Sequence, residues 1–202
     1  MDLDIVDRLL GEVPQLVVLR TAAGAEPVEP SAVLLPTAYG PVRVDVLEVR
    51  QVELDQPSDD PGDRLHASAH AWANDSATDI TIEAMRTDGE RVEVTTPVAE
   101  PGPLIAMKLQ AVMNRSLDKQ GTDLGDIVRL TLDEATRPVA LEQIGAVDAA
   151  IAHDIALHVD LWFVRSRQQV LRWVQSVGFG DVSSEDLELV AEMLTAAAHR
   201  ST

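Results

Sequence analysis

Apolar residues recur with a two-residue period in stretches of the first half of this chain and with a helical period through most of the second. Alternation over 31–36 and over 42–49, the latter just after Gly40-Pro41, predicts two strands. A second pair, 79–86 and 90–96, flanks Asp88-Gly89, a dipeptide suited to a tight hairpin turn. Residues 24–30 and the acidic stretch 56–63, with its two prolines and a glycine, are expected to be loops. Residues 15–20 form a short apolar segment after a helix that runs through Leu10.

From Pro103 onward apolar residues return every three or four positions, which predicts helices over 104–115, 122–133, 139–152, 154–176 and 184–199. Pro101-Gly102-Pro103 opens the first of these, because a first turn tolerates the missing N–H of proline. Gly178-Phe179-Gly180 ends the fourth. Ser183 with Asp186 then forms a capping box before the stripe Leu187, Val190, Ala191 and Leu194. The expected class is α+β, with a first part over 1–100 and a helical part over 101–202.

Composition narrows the picture. A chain of 202 residues that is 46% hydrophobic can bury a substantial core. It holds no run approaching the roughly 20 apolar residues of a membrane span, so no membrane contact and a cytoplasmic location are expected. With no cysteine, thiolate catalysis, disulfides and cysteine-ligated zinc are excluded. The formal charge of −18, from 16 basic and 34 acidic residues, disfavours a broad nucleic-acid surface and suits a basic protein partner better.

Against that acidic background one cation stands out. Lys108 interrupts the apolar helix of Leu104, Met107, Ala111 and Val112, and at about 100° per residue it shares a side with Arg115. Asp123 and Asp126 follow after Lys119. One reading makes Lys108 a structural residue that snorkels to water or pairs with Asp123 or Asp126; the other gives it a ligand. Upstream, Asp45 projects opposite Val44 and Val46 of the expected strand, either as a solvated residue or as a functional one. Asp2 and Asp4 face the same way if the start of the chain is a strand, as a shared Mg²⁺ would require. Leu3, Val6, Leu10 and Val13 equally fit a helix face, with Asp2 or Asp4 as its cap.

Taken in order, Asp2/Asp4, Asp45 and Lys108, Arg115, Lys119, Asp123, Asp126 resemble the motifs of the nucleotidyltransferase-like AbiEii/AbiGii toxin family over residues 1–135. The resemblance implies a minimal nucleotidyltransferase-like mixed sheet with helices, followed by a helical C-terminal subdomain. It also implies Mg²⁺ held by Asp2, Asp4 and Asp45, Lys108 and Arg115 as contacts for an NTP, and Asp123 as a residue that orients Lys108 or the metal-bound nucleotide. Asp126 is expected to brace its own helix. The acceptor would be a hydroxyl such as a tRNA 3′ end, and an antitoxin protein would be a partner.

In the family a Gly-Gly or Gly-Ser loop cradling the phosphates precedes Asp-x-Asp, whereas here only Met1 precedes Asp2. A shortened enzyme, or a degenerate binding protein that no longer transfers nucleotides, is therefore expected. A small-molecule nucleotidyltransferase of the aminoglycoside-modifying kind is a further alternative, since its cationic substrate suits an acidic chain.

Other candidates carry less. His66 and His70 are spaced to share a helix face as metal ligands or to lie on an exposed alanine-rich segment, and His153 and His158 fall on different faces. Trp162 and Trp173 return to one side of a helix after three turns, as core or as a base-stacking platform beside Arg165, Arg167 and Arg172.

Overall fold

The computed structural model describes residues 20, 22–29, 32–37, 40–45, 51–85, 89 and 91–201. By its contacts the chain divides into two compact units, 1–49 and 50–202. The protein is α+β, helices dominating over two small antiparallel sheets.

In the first unit, β1 (Glu26–Glu29), β2 (Ala32–Thr37) and β3 (Gly40–Asp45) form an antiparallel sheet with β2 in the centre. Val33 lies opposite Val44 and Thr37 opposite Gly40, and Ala32 and Val33 are buried. The strands expected over 31–36 and 42–49 are therefore present, β2 running on to Thr37 and β3 starting already at Gly40, while residues 31 and 46–49 lie outside the described residues. The loop expected over 24–30 is not: it contains β1, whose register slips between Pro27 and Glu29. Two glutamates and a proline erase the alternation by which a strand is recognised, yet an edge strand needs only backbone partners on one side.

The second unit opens with α1 (Gln51–Asp55) and α2 (Pro61–Asp75). Asp60 ends the acidic loop as the N-cap of α2, its Oδ1 accepting from the Gly62 and Asp63 amides at 2.8 and 3.1 Å. The alanine-rich segment after it is no exposed stretch, because Leu65, Ala67, Ala69 and Ala73 of α2 are buried. Next comes the hairpin of β4 (Thr78–Met85) and β5 (Arg91–Val98), in which Ile82 faces Val94. The change from this hairpin to helices alone, near residue 100, falls inside the second unit.

α3 (Pro101–Ala111) runs through the core, burying Ile105, Ala106 and Leu109, and tightens into a 3₁₀ turn over Val112–Asn114. Its end leaves carbonyls without intrahelical donors, and side chains from elsewhere supply them. Trp162 Nε1 donates to the Leu109 carbonyl at 3.1 Å and Gln120 Nε2 to that of Val112 at 2.8 Å. α4 (Leu117–Leu132) packs on α3 and on α7 (Arg167–Ser176). Gly121 permits the second contact, since a Cβ there would lie 2.6 Å from the Trp173 carbonyl oxygen.

The helix expected over 139–152 is two: α5 (Arg137–Ile144) and α6 (Ala149–Val159). Asp148 causes the break, its Oδ1 accepting from the Ala150 and Ile151 amides at 2.9 and 3.0 Å and starting a new helix. After α6 a π-helical turn over Asp160–Arg165 leads to α7, with the Ser166 amide closing on the Leu161 carbonyl at 3.1 Å. α8 (Ser184–Ala198) starts with the expected capping box, Asp186 N donating to Ser183 Oγ at 3.1 Å and Ser183 N to Asp186 Oδ2 at 2.8 Å. Gly178, at φ +103, turns the chain toward it. Leu65, Leu124, Ile155, Phe163, Leu187 and Leu194 meet in one core. None of the described helices is long and apolar enough to cross a membrane.

Candidate functional site

The cation singled out by the sequence is also the centre of a charge cluster in the second unit. Lys108 sits in the last turn of α3, between buried Leu109 and half-buried Met107. Its Nζ donates to Asp123 Oδ1 and to Asp126 Oδ2, both at 2.8 Å. These acceptors lie one helical repeat apart on α4, so they present two carboxylates to the same neighbour. Asp126 therefore reaches across to α3 instead of bracing its own helix.

Burial is graded through the cluster. Side-chain exposure is 10% for Asp123, 19% for Lys108, 36% for Asp126 and 46% for Arg115. Arg115 emerges just beyond the 3₁₀ turn and brings its Nε to 3.3 Å from Asp123 Oδ2. That oxygen makes no hydrogen bond with the described residues, so charge alone links it to Arg115. Asp123 thus sits between two cations, one deep and one at the surface.

Burial by itself would lower the Lys108 pKa, but hydrogen bonds and charge from Asp123 and Asp126 outweigh it and hold the ammonium above its ordinary range. Lys108 is then a fixed cation at physiological pH and not a proton acceptor. Chemically the group can anchor α3 to α4, and it can offer spare donors of Lys108 and Arg115 to an oxyanion at the rim.

Asp45 is the last residue of β3, opposite Ala32, and belongs to the first unit; its side chain lies outside the described residues. Asp2 and Asp4 lie outside the described residues altogether. Lys119 is exposed on the first turn of α4. Arg129 is in the last turn of α4, its guanidinium 4.2 Å from the Phe179 ring centre, so it does not gather with Arg115. Among the described residues no three histidines or carboxylates converge as a metal site.

His66 and His70 do share a face, with ring centres 4.3 Å apart. His70 Nδ1 donates to the His66 carbonyl at 2.7 Å, and burial lowers its pKa. His153 is exposed and His158 buried, as their spacing requires. Trp162 and Trp173 pack against the core with ring centres 6.4 Å apart. Two of the arginines near them are engaged, Arg165 by Asp160 at 2.6 Å and Arg167 by Glu188 at 3.1 Å. The pair is core.

A second polar centre escaped sequence reasoning. Arg64 of α2 makes a bidentate pair with Asp154 of α6, at 2.8 Å from Nε and 2.5 Å from Nη2. The Asp154 side chain is 3% exposed, and its hydrogen bonds raise the Arg64 pKa against the opposing effect of burial. The signal was available in one form only: an aspartate between Ala152, Ile155 and Val159 breaks an apolar stripe much as Lys108 does.

No model of a known family, no curated protein and no solved structure matches this chain.

Proposed function

We propose that the protein is a nucleotidyltransferase-like protein of the AbiEii type, in which Lys108 and Arg115 contact the phosphates of an NTP and Asp123 positions both. The observation that supports this reading most is the fixed pair of cations on the two oxygens of one buried carboxylate, Lys108 at 2.8 Å and Arg115 at 3.3 Å. Two cations at set positions suit adjacent phosphates, since stabilisation of phosphoryl transfer is mainly placement of positive charge. Mg²⁺, held by Asp2, Asp4 and Asp45, would supply further neutralisation of that charge. The acceptor in this reading is a hydroxyl, such as a tRNA 3′ end, and a basic antitoxin is the protein partner.

One observation favours a rival. The Lys108 ammonium already donates to a buried carboxylate, Asp123, as a structural brace would. In that reading the protein binds partners without transferring nucleotides.

The test is Mg²⁺-dependent transfer from each labelled NTP to bulk tRNA and, in parallel, to aminoglycosides, with Asp45→Ala as the control. Transfer to either acceptor that Asp45→Ala abolishes supports the proposal and names the acceptor class. No transfer to either, from a folded protein, supports the non-catalytic rival.

A further inference from the structure

Two histidines of α2, His66 and His70, take no part in the Lys108 cluster. They lie one helical turn apart, and both are half-buried. Their ring centres are 4.3 Å apart and their planes are tilted by 52°, so the rings flank one another without stacking face to face.

The hydrogen bonds of the pair fix which nitrogens are protonated. His70 Nδ1 lies 2.7 Å from the His66 carbonyl oxygen, and His66 Nδ1 lies 3.3 Å from Oε1 of Gln110 on α3. A carbonyl oxygen can only accept, so each Nδ1 carries the proton and each Nε2 keeps its lone pair. Neither Nε2 has a hydrogen-bond partner among the described residues. Burial lowers the His70 pKa, which keeps that ring neutral at physiological pH. An imidazole that donates from one nitrogen to a carbonyl and leaves the other bare is set up as metal-ligating histidines are. Gln110 is itself buried, so it holds the His66 ring from a fixed place.

The separation of the rings suits a shared ion. With zinc–nitrogen bonds of about 2.0–2.1 Å, two imidazoles on one metal have ring centres roughly 4.5–5 Å apart. The observed 4.3 Å is slightly short of that, and rotation about χ2, a broad torsion in histidine, supplies the difference.

We propose that His66 and His70 bind a late first-row divalent transition-metal ion, of which Zn²⁺ is the probe, through their two Nε2 atoms. Water would fill the remaining positions. Imidazole favours such ions over Mg²⁺, which takes oxygen ligands, so the site is independent of the carboxylates assigned to Mg²⁺ under the nucleotidyltransferase reading.

The test is calorimetric titration of Zn²⁺ alone into the whole protein. A saturable event is expected that Mg²⁺ in about tenfold excess leaves unchanged. His66→Gln and His70→Gln should each weaken it by at least about tenfold, the lower end of what losing even an outer partner of a ligating histidine costs. Amide NMR of the wild-type protein locates the ion without any variant, and so decides the matter if a substitution disturbs folding: Zn²⁺ should shift the signals of residues around 66 and 70 on α2. Zn²⁺ binding indifferent to both substitutions, shifts confined to other elements, or no saturation below about 1 mM would overturn the proposal.

Discussion

Replacing Lys108 by methionine keeps the methylene stem against the core and removes only the ammonium. Two charge-assisted hydrogen bonds at 2.8 Å are lost, and such bonds contribute roughly 1.5–3 kcal/mol each. The losses do not simply add. Asp126 is about a third exposed and can be rehydrated, whereas Asp123, at 10%, stays in a dry site with only Arg115 at 3.3 Å for company. A net cost of about 2–4 kcal/mol follows, below the full penalty for stranding a wholly buried charge. Urea unfolding followed by circular dichroism at neutral pH measures it. The pH course is a second check: the folded pKa is raised above the ordinary 10.5, so the contribution of Lys108 is complete below 10.5 and fades as pH rises through the folded value. The stability gap between wild type and Lys108→Met should therefore be constant through neutral pH and narrow only above 10.5. A cost under about 1 kcal/mol, or a gap that narrows at neutral pH, would refute the account of a half-buried, doubly held ammonium.

Arg64→Met should cost about 3–5 kcal/mol in the same assay, because it strands Asp154 in the core; Arg64→Met with Asp154→Leu should recover more than half, and no recovery would deny the coupling. Gly121→Ala should lower the thermal midpoint by several degrees, since its Cβ would meet the Trp173 carbonyl oxygen at 2.6 Å and a backbone atom cannot step aside; an unchanged midpoint would show that α4 and α7 are free to separate. Burial depresses the His70 pKa, so the unfolded chain takes up a proton first and stability should fall as pH drops below 6.5; His70→Gln should flatten that part of the profile, and an unaltered slope would place its origin elsewhere. Asp126→Asn removes a competitor for the Lys108 ammonium, so ATP should bind more tightly if the cluster serves a nucleotide, whereas a stability loss with unchanged ATP binding would favour the brace.

What the sequence made legible depended on whether the physical cause was local. The capping box of Ser183 and Asp186 is a contact between residues three apart, and it is present as read. The hairpin around Asp88-Gly89 is likewise a local matter and spans Thr78–Met85 and Arg91–Val98. β1 was illegible because an edge strand of two glutamates and a proline buries too little to leave an alternation. The break at Asp148 was hidden by apolar residues that keep their helical spacing across it, although the cap itself is a short-range bond. At the candidate site, Lys108, Asp123 and Arg115 were named from spacing on neighbouring helices. Arg64 and Asp154 were not, because 90 residues separate them and only the packing of α2 on α6 brings them together.

The Lys108 cluster holds more than a brace requires. One carboxylate would suffice to neutralise a half-buried lysine, and Asp123 at 2.8 Å provides it. The second carboxylate, the half-exposed Arg115 and the Asp123 oxygen without a hydrogen bond are surplus to that task. Yet the cluster is neutral as it stands, with two cations against two carboxylates, and a neutral group in a chain of charge −18 draws a triphosphate only weakly from a distance. Both facts fit if a phosphate competes with Asp126, the more exposed acceptor and the cheaper to release, while Asp123 keeps its hold on Lys108. The ammonium would then change one partner without leaving its place, which turns a structural pair into a preorganised phosphate contact at small reorganisation cost.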